Sequence, residues 1–231
     1  MNVLKRERGE TGKEYALRVI RDNIVSLELA PGENLDINVL AEKLGLSRTP
    51  VREAISELEK IGIVEVYPQR GSKVSRIDLE MVDSARFLRN SLECSAVREC
   101  CRCRTEEDLI RIEENASLQE LYYQQHLKKN FLEIDDQFHK LIFTIANKLP
   151  VYYIIKTYSI HFDRIRTVSL NMVKTKDSET LDDHKRIVQA IKDQNADLAA
   201  EYMDLHLTRY KIDLETIYRE CPEYFKQAVS G

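Results

Sequence analysis

Glycine and proline are scarce in this chain of 231 residues, which contains 7 Gly and 5 Pro. Proteins dense in β-turns and disordered chains rich in these residues use both far more often. The scarcity argues against a β-sandwich and against a disordered chain, and it favours a mainly helical protein. At roughly 100 to 200 residues per domain, the length predicts two modest domains, each with its own core.

Long apolar segments are also lacking. The first residues, MNVLKRERGETG, are polar and charged, and they contain neither the apolar stretch nor the small-residue cleavage site of an export signal. The apolar runs of the sequence fall far short of the ~18 residues that a membrane-spanning helix needs. We therefore expect a cytoplasmic protein without a membrane partner.

The chain has five cysteines, an odd number that does not suggest a framework of disulfides. Three of them, Cys100, Cys101 and Cys103, crowd into one helical stretch. No second pair of cysteines stands at zinc-ribbon spacing, and adjacent helical residues point to different faces. We expect reduced thiols in or beside a core rather than a metal or redox site.

In residues 1–76 the spacing of apolar residues is first that of helices and then that of strands. Apolar residues recur at steps of three and four over Glu10–Leu29 and Ile37–Leu44, and again from Pro50 in the first turn of a third helix to Ile61. The period then changes to two, with a turn at 68–71 between two short strands. Helices joined by a tight turn and followed by a hairpin predict a winged helix-turn-helix domain.

Residues 77–231 show helical periods and no further strand pattern. The predicted helices are Leu79–Cys103, Glu106–Leu127, Lys129–Asn147, Val151–Met172, Ser178–Asp193 and Ala196–Arg219. Short separators join them, one of them at 174–177, so neighbouring helices should be antiparallel. The sequence thus predicts a mainly α protein, with a winged helix-turn-helix followed by an antiparallel bundle of six to seven helices.

Candidate DNA contacts lie at the start of the third helix and at the hairpin tip. Arg48 and Arg52 are spaced i, i+4 and share a face near the helix N-terminus, with Thr49 beside them. Either guanidinium could fork onto the edge of a guanine or bind a phosphate. At the tip, Arg70 precedes Gly71, whose missing Cβ allows the backbone to approach DNA closely.

The charge distribution agrees with a nucleic-acid partner. Residues 43–76 contain seven Lys or Arg and four Asp or Glu, whereas the whole chain has a net charge of -4. Most charged runs are solvated helix faces without a partner. Here the basic segment coincides with a helix start, a tight turn and a wing, and we therefore expect double-stranded DNA as the partner.

A family resemblance follows from these residues. The stretch LAEKLGLSRTPVREAI over Leu40–Ile55, with the Arg70-Gly71 wing behind it, closely resembles the DNA-binding domain of the GntR family of bacterial transcription regulators. The resemblance implies that Arg48, Thr49 and Arg52 contact operator DNA and that Gly71 lies at the wing tip. It also implies a ligand-responsive regulator rather than an enzyme, acting as a homodimer on a roughly palindromic operator. Asn38 departs from the pattern, because some members have another DNA-contacting arginine there.

Asp135 and His139 are a candidate metal pair, since i, i+4 spacing puts them on one helix face. His184 and His206 lie on later predicted helices, and spacing alone leaves ordinary structural roles open for all three histidines. The segments 131–139, 183–184 and 206–207 resemble the FCD class of C-terminal sensor domains. The resemblance implies that these four residues hold one divalent transition metal per chain, which would be zinc, nickel, manganese or iron.

Arg89 has two interpretations. It precedes Glu93 by one helical turn, which suits an intrahelical ion pair, but the resemblance places an arginine here in an effector pocket. On the second interpretation a small carboxylate effector would bind the metal and Arg89, with Asn147 and Arg164 around it. The alternatives are a metal-dependent hydrolase, for which the sequence lacks a HExxH-like motif, and a metal-stabilised protein-interaction module.

Overall fold

The N-terminal residues form three helices and a small sheet in the computed structural model, which describes residues 1–172 and 177–226. The elements are α1 (Gly12–Val25), β1 (Asn34–Leu35), α2 (Ile37–Leu44), α3 (Arg48–Lys60), β2 (Val64–Tyr67) and β3 (Gly71–Val74). The antiparallel sheet has the order β1-β3-β2. This arrangement confirms the predicted winged helix-turn-helix, and the strand β1 is an addition of two residues, too short to show a period.

Local side chains define the ends of these helices. Thr11 and Glu14 form a reciprocal capping box at the start of α1. Asp36 accepts hydrogen bonds from the first N–H groups of α2, and Gly45 ends that helix in the left-handed conformation, with a φ of 63°. Pro50 lies in the first turn of α3. Residues 45–47 thus form a short turn between α2 and α3, and Arg48 and Thr49 at the start of α3 are exposed.

Eight further α-helices follow in the described residues. They are α4 (Leu79–Cys103), α5 (Glu106–Gln124), α6 (Lys128–Ile145), α7 (Leu149–Tyr158), α8 (Ile160–Met172), α9 (Asp177–Lys192), α10 (Ala196–Thr208) and α11 (Tyr210–Glu220). The mainly α fold is thereby confirmed. Two predicted helices are each divided, at Ser159 and at Arg209, and the predicted separator at 174–177 lies outside the described residues except for its last position. None of the described helices is long and apolar enough to cross a membrane.

The chain divides into two compact units. The first contains residues 1–82, 160–168 and 216–231, and the second contains residues 83–159 and 169–215. The grouping differs from the single division after residue 76 expected from the sequence, because part of α8 and the C-terminal segment pack with the N-terminal residues. In the first unit, Ile77 pairs with Phe225 in an isolated parallel bridge.

Each unit has its own apolar core. In the first, α1 contributes Val19, Ile20 and Ile24, and α3 contributes Val51 and Leu58, all of them fully buried. In the second, α5 packs against both α6 and α9, and α9 packs against α10. The helix α5 thus connects α6 to α9, and α10 packs on α9, so that residues of α6, α9 and α10 share one core.

The cysteines are all free. Cys100 and Cys101 are buried in the core of the second unit, and burial raises the pKa of Cys94 and of Cys101 to about 11. Thiols with raised pKa values are poor nucleophiles and poor metal ligands at neutral pH. Cys100 and Cys101 are thus packed in a core, as expected, while Cys103 is exposed.

His161, near the start of α8, has a structural role in the first unit. Its Nδ1 accepts a hydrogen bond from the backbone N–H of Asp78 at 3.1 Å. Burial lowers the pKa of His161 to about 4, and the charge of Arg164 contributes to the same effect. The imidazole is therefore neutral in the folded protein near pH 7.

We expect this histidine to make stability depend on pH. The pKa in the folded protein lies below the ordinary value of about 6.5, so the unfolded chain binds more protons and stability falls as pH drops from about 6.5 to about 4. Over this window wild type should lose about 3 kcal/mol more unfolding free energy than His161→Gln. Urea unfolding of both proteins with a chelator present measures the difference, and parallel pH curves would contradict it.

Candidate metal centre and DNA-binding surface

Four potential metal ligands converge in the second unit. Asp135 and His139 come from α6, His184 from α9 and His206 from α10, and one ligand atom from each lies within 4.8 Å of all the others. Asp135, His139 and His184 are almost completely buried, and His206 is partly buried. The helix packing therefore brings together the four residues that the sequence singled out.

The atoms that face one another are of the kind that bind transition metals. Nε2 of His184 lies 3.3 Å from Nε2 of His206 and 3.7 Å from Oδ1 of Asp135. Nε2 of His139 lies 3.9 Å from Oδ2 of Asp135 and is buried without a hydrogen-bond partner among the described residues. Three imidazole nitrogens and one carboxylate suit divalent zinc, nickel, manganese or iron. A buried imidazole nitrogen without a partner costs stability unless something binds it, so the residues present fit a metal ion.

Each histidine also has a neighbour for its second ring nitrogen. Nδ1 of His139 lies 2.5 Å from Oε2 of Glu93, and Nδ1 of His184 lies 2.5 Å from Oε1 of Gln119. Nδ1 of His206 lies farther, 3.9 Å, from the carboxylate of Asp183. Partners of this kind orient metal-binding histidines and select the protonated nitrogen. Here Gln119 forms a hydrogen bond of this kind with His184, while Glu93 and Asp183 are close carboxylates for the other two rings.

Burial favours the neutral form of His206. Burial lowers the pKa of His206 well below its ordinary value, and the charges of His184 and His139 contribute to the same effect. Burial alone would raise the pKa of Glu93, but the charges of Arg89 and His139 and their hydrogen bonds lower it to about 2. Glu93 is thus an anion, and the neutral form of a histidine such as His206 is the form that binds a metal.

Arg89 forms the intrahelical ion pair of the first interpretation. Its Nε donates a hydrogen bond to Oε1 of Glu93 at 2.6 Å, and both side chains are buried. The Glu93 carboxylate that Arg89 binds also lies 2.5 Å from Nδ1 of His139, one of the four potential ligands. The ion pair with Glu93 therefore connects Arg89 to the cluster through one carboxylate, and its contact with an effector stays a prediction.

Asn147 and Arg164 are not brought to the cluster in the same way. Asn147 is exposed just after α6, with a φ of 56°, and α6 rises about 9 Å from His139 to its last residue, Ile145. Arg164 belongs to the first unit, where its Nη2 donates to the backbone carbonyl of Ser75 at 2.6 Å. Asn147 is thus a residue at a helix end, and Arg164 is a buried structural arginine.

Two buried amides near the cluster were not identified from the sequence. Asn115 and Gln119 lie at i, i+4 on the inward face of α5, in line with buried Leu109 and Ile112. Polar residues that interrupt an apolar stripe are the signal that could have identified them, because a buried amide requires partners.

The predicted DNA contacts lie on one exposed part of the first unit. Arg48, Thr49 and Arg52 are exposed at the start of α3. Unlike Lys60, which pairs with Glu57 at 3.2 Å, neither arginine forms an ion pair with a described residue. Unpaired guanidiniums at a helix N-terminus are free to bind phosphates or base edges.

The wing presents a further cation. The register pairs Tyr67 with Gly71, so residues 68–70 form the tip. The backbone N–H of Arg70 donates to the carbonyl of Tyr67 at 3.0 Å, and Gln69 between them has a φ of 62°. Arg70 is exposed, and Gly71 has a φ of 88°, a conformation that favours glycine. The tip is therefore a tight turn that exposes the Arg70 guanidinium beside the backbone of Gly71.

Comparisons with known proteins agree with this fold. The family model described as bacterial regulatory proteins, gntR family, matches residues 14–74, and the FCD domain model matches residues 85–209. The HTH-type transcriptional repressor RspR of Escherichia coli K12 is 29% identical over 91% of this chain and 92% of its own length. An uncharacterized HTH-type transcriptional regulator from an unstable DNA locus of Streptomyces ambofaciens is 30% identical over 94% of this chain and 91% of its own.

Solved structures show the same architecture. Escherichia coli McbR/YncC aligns with a TM-score of 0.77 over 91% of this chain and 98% of its own, at 18% identity, which is a likeness of fold. A winged helix-turn-helix followed by a helical bundle defines the chain as a DNA-binding transcription regulator. The chain belongs to the GntR family of bacterial regulatory proteins, and its C-terminal part is an FCD domain.

Proposed function

We propose that this regulator senses a small organic acid at a metal ion held by Asp135, His139, His184 and His206. The observation that carries the proposal is the convergence of these four ligand atoms within 4.8 Å in a largely buried place. One divalent transition metal per chain, zinc, nickel, manganese or iron, would bind there. The ion would supply a Lewis-acidic position for an anionic oxygen.

The charges beside the cluster support a carboxylate as the effector. Arg89 is buried and binds Glu93, whose Oε2 lies 2.5 Å from Nδ1 of the proposed ligand His139. A guanidinium suits a carboxylate because two N–H groups match two oxygens. We therefore propose that Arg89 faces the effector, while its Nε remains bound to Glu93. Asn147 and Arg164 were predicted for the same pocket, and the contacts described above do not support them there.

The DNA-binding surface would carry the response. We propose that Arg48, Thr49 and Arg52 enter the major groove of operator DNA and that Arg70 and Gly71 contact the backbone or the minor groove. The exposed, unpaired arginines support this assignment. Two chains in a homodimer, in the cytoplasm, would read two half-sites. An effector that binds one arrangement of the domains more tightly shifts the equilibrium between DNA-binding states.

Hydrolysis at the same cluster is less well supported. A metal-dependent hydrolase needs a positioned general base with a pKa near neutrality. Glu93 contacts His139, and its pKa of about 2 makes it a weak base. A closed structural metal in a protein-interaction module would require that small carboxylates have no effect on the protein, and this outcome can be measured.

We expect small organic acids to stabilise only the metal-loaded protein. A ligand at 100 times its dissociation constant adds about 2.7 kcal/mol to the free energy of unfolding. Thermal unfolding should be recorded with zinc and with a chelator, across a panel of mono-, di- and tricarboxylates. Arg89→Gln should reduce the shift, whereas Arg98→Gln, a partly exposed arginine of the same helix that pairs with Asp197, should not. Carboxylates that act equally on zinc-loaded and chelator-treated protein would remove the metal from the mechanism.

A further inference from the structure

A line of buried amides crosses α5 between two helices that carry metal ligands. The Asn115 side-chain Nδ2 donates to the backbone carbonyl of Ile134 at 3.1 Å, and Gln119 Nε2 donates to Asn115 Oδ1 at 2.7 Å. Gln119 Oε1 lies 2.5 Å from Nδ1 of His184. The line begins at Ile134, the residue before Asp135 on α6, and ends at His184 on α9. The helix α5 itself contributes no ligand to the cluster.

The direction of every hydrogen bond in this line follows from its first member. A backbone carbonyl can only accept, so Asn115 must turn its NH₂ group toward Ile134 and its oxygen toward Gln119. Gln119 must then donate with its NH₂ group, which leaves its oxygen facing His184. An amide oxygen can only accept, so the proton of the His184 ring must be on Nδ1. The Nε2 lone pair is left for the cluster.

We propose that Asn115 and Gln119 are positioning residues that hold His184 in the tautomer able to bind the metal. This inference rests on the proposed metal site. A glutamine in the opposite orientation would donate to Nδ1 and select the tautomer with its proton on Nε2, which leaves no lone pair on the nitrogen that faces the cluster. The oxygen and the NH₂ group of a glutamine amide have nearly the same shape, so Gln119 alone could adopt either orientation. Asn115 removes that freedom because a backbone carbonyl fixes its own orientation.

The other two histidines are arranged differently. Nδ1 of His139 and of His206 face the carboxylates of Glu93 and Asp183. These carboxylates are held by Arg89 and Arg209 respectively. A carboxylate accepts in any orientation, so it needs no second residue to select the tautomer. His184 faces a neutral amide, which can either accept or donate. Of the three histidines, His184 is therefore the one whose partner needs a second residue, Asn115, to fix its orientation.

The test uses full-length Gln119→Met, Asn115→Leu and the double variant, with Gln124→Met, an exposed position of α5, as the matched control. Zinc affinity is measured by competition with a chelator. The His184 tautomer is read from ¹⁵N chemical shifts of the metal-free protein at a pH where imidazole is neutral. Gln119→Met should bind zinc 10- to 100-fold more weakly, as for other partners of metal-binding histidines. Asn115→Leu should shift the His184 tautomer population away from Nδ1–H.

The double variant should bind zinc no more weakly than Gln119→Met, because Asn115 acts through Gln119 and effects in one network do not add. Additive losses would overturn the inference, and so would an unchanged Nδ1–H tautomer in both single variants. If Gln119→Met does not fold, as judged by circular dichroism, the Asn115→Leu tautomer decides. Failure of wild type to bind zinc would instead refute the proposed metal site, and the metal-free tautomer would still report on the amides.

Discussion

Replacing Arg48 and Arg52 together with alanine is expected to weaken operator binding by about 30-fold or more. Both side chains are exposed on the recognition helix α3 and form no ion pair with a described residue. A bidentate contact to a base is worth roughly 1 to 3 kcal/mol, and two losses correspond to about 2 to 6 kcal/mol. Fluorescence anisotropy with an operator selected in vitro measures the change.

Salt dependence separates the two kinds of contact. Loss of two phosphate contacts should reduce the slope of log affinity against log salt by about 1.8, whereas loss of base contacts should reduce discrimination among sequences. Arg111→Ala is a control, since this half-exposed arginine of α5 pairs with Asp108 in the second unit. Equal losses for Arg111→Ala and for the double variant would show that net charge alone, and not the α3 surface, governs DNA affinity.

The double variant His139→Ala/His184→Ala is expected to lose the stabilisation that a metal provides. Both rings direct Nε2 toward the cluster. A metal at 1,000 times its dissociation constant adds about 4 kcal/mol to the unfolding free energy of wild type. Thermal unfolding with zinc and with chelator should therefore differ strongly for wild type and hardly at all for the variant, and elemental analysis should show that bound metal is lost.

His126→Asn is the matched control for this experiment. His126 is exposed after α5 and has a φ of 56°, a conformation that asparagine tolerates. The control should keep wild-type metal content and the wild-type response to zinc. Metal content that survives in His139→Ala/His184→Ala at the wild-type level would place the ion elsewhere and refute the proposed site.

The helix boundaries show where sequence periodicity was sufficient. The apolar period and the Gly45 stop predicted α2 at Ile37–Leu44, as the structure has it. The break between α7 and α8 was missed because neither proline nor glycine marks it. Ser159 Oγ instead donates to the Ile155 carbonyl at 2.8 Å, a back-bond that bends helices without interrupting the apolar pattern.

The spacing of residues along the sequence predicted only part of the metal cluster. Asp135 and His139 share a helix face, and i, i+4 geometry predicts their proximity. His184 and His206 reach the same place through the packing of α9 and α10, which no local spacing encodes. The resemblance to FCD domains connected all four, because a family motif records the result of long-range packing.

The residues that contact the second ring nitrogens of the histidine ligands were the hardest to predict from the sequence. The pattern suggested that Arg89 pairs with Glu93, but the contact between Glu93 and His139 depends on how α4 meets α6. Gln119 resembles any helical glutamine until its burial is known. A polar side chain at an inward position is informative only when its neighbours across the core are known.

One measurement tests the central claim most directly. Crystals of the protein as purified should be exposed at the absorption edge of the metal that elemental analysis identifies. The account predicts one anomalous peak per chain, within about 2.0 to 2.2 Å of Nε2 of His139, His184 and His206 and of an Asp135 oxygen if the ion is zinc. Anomalous density at the cysteines or at Nδ1 of these histidines, with none between the Nε2 atoms, would contradict it.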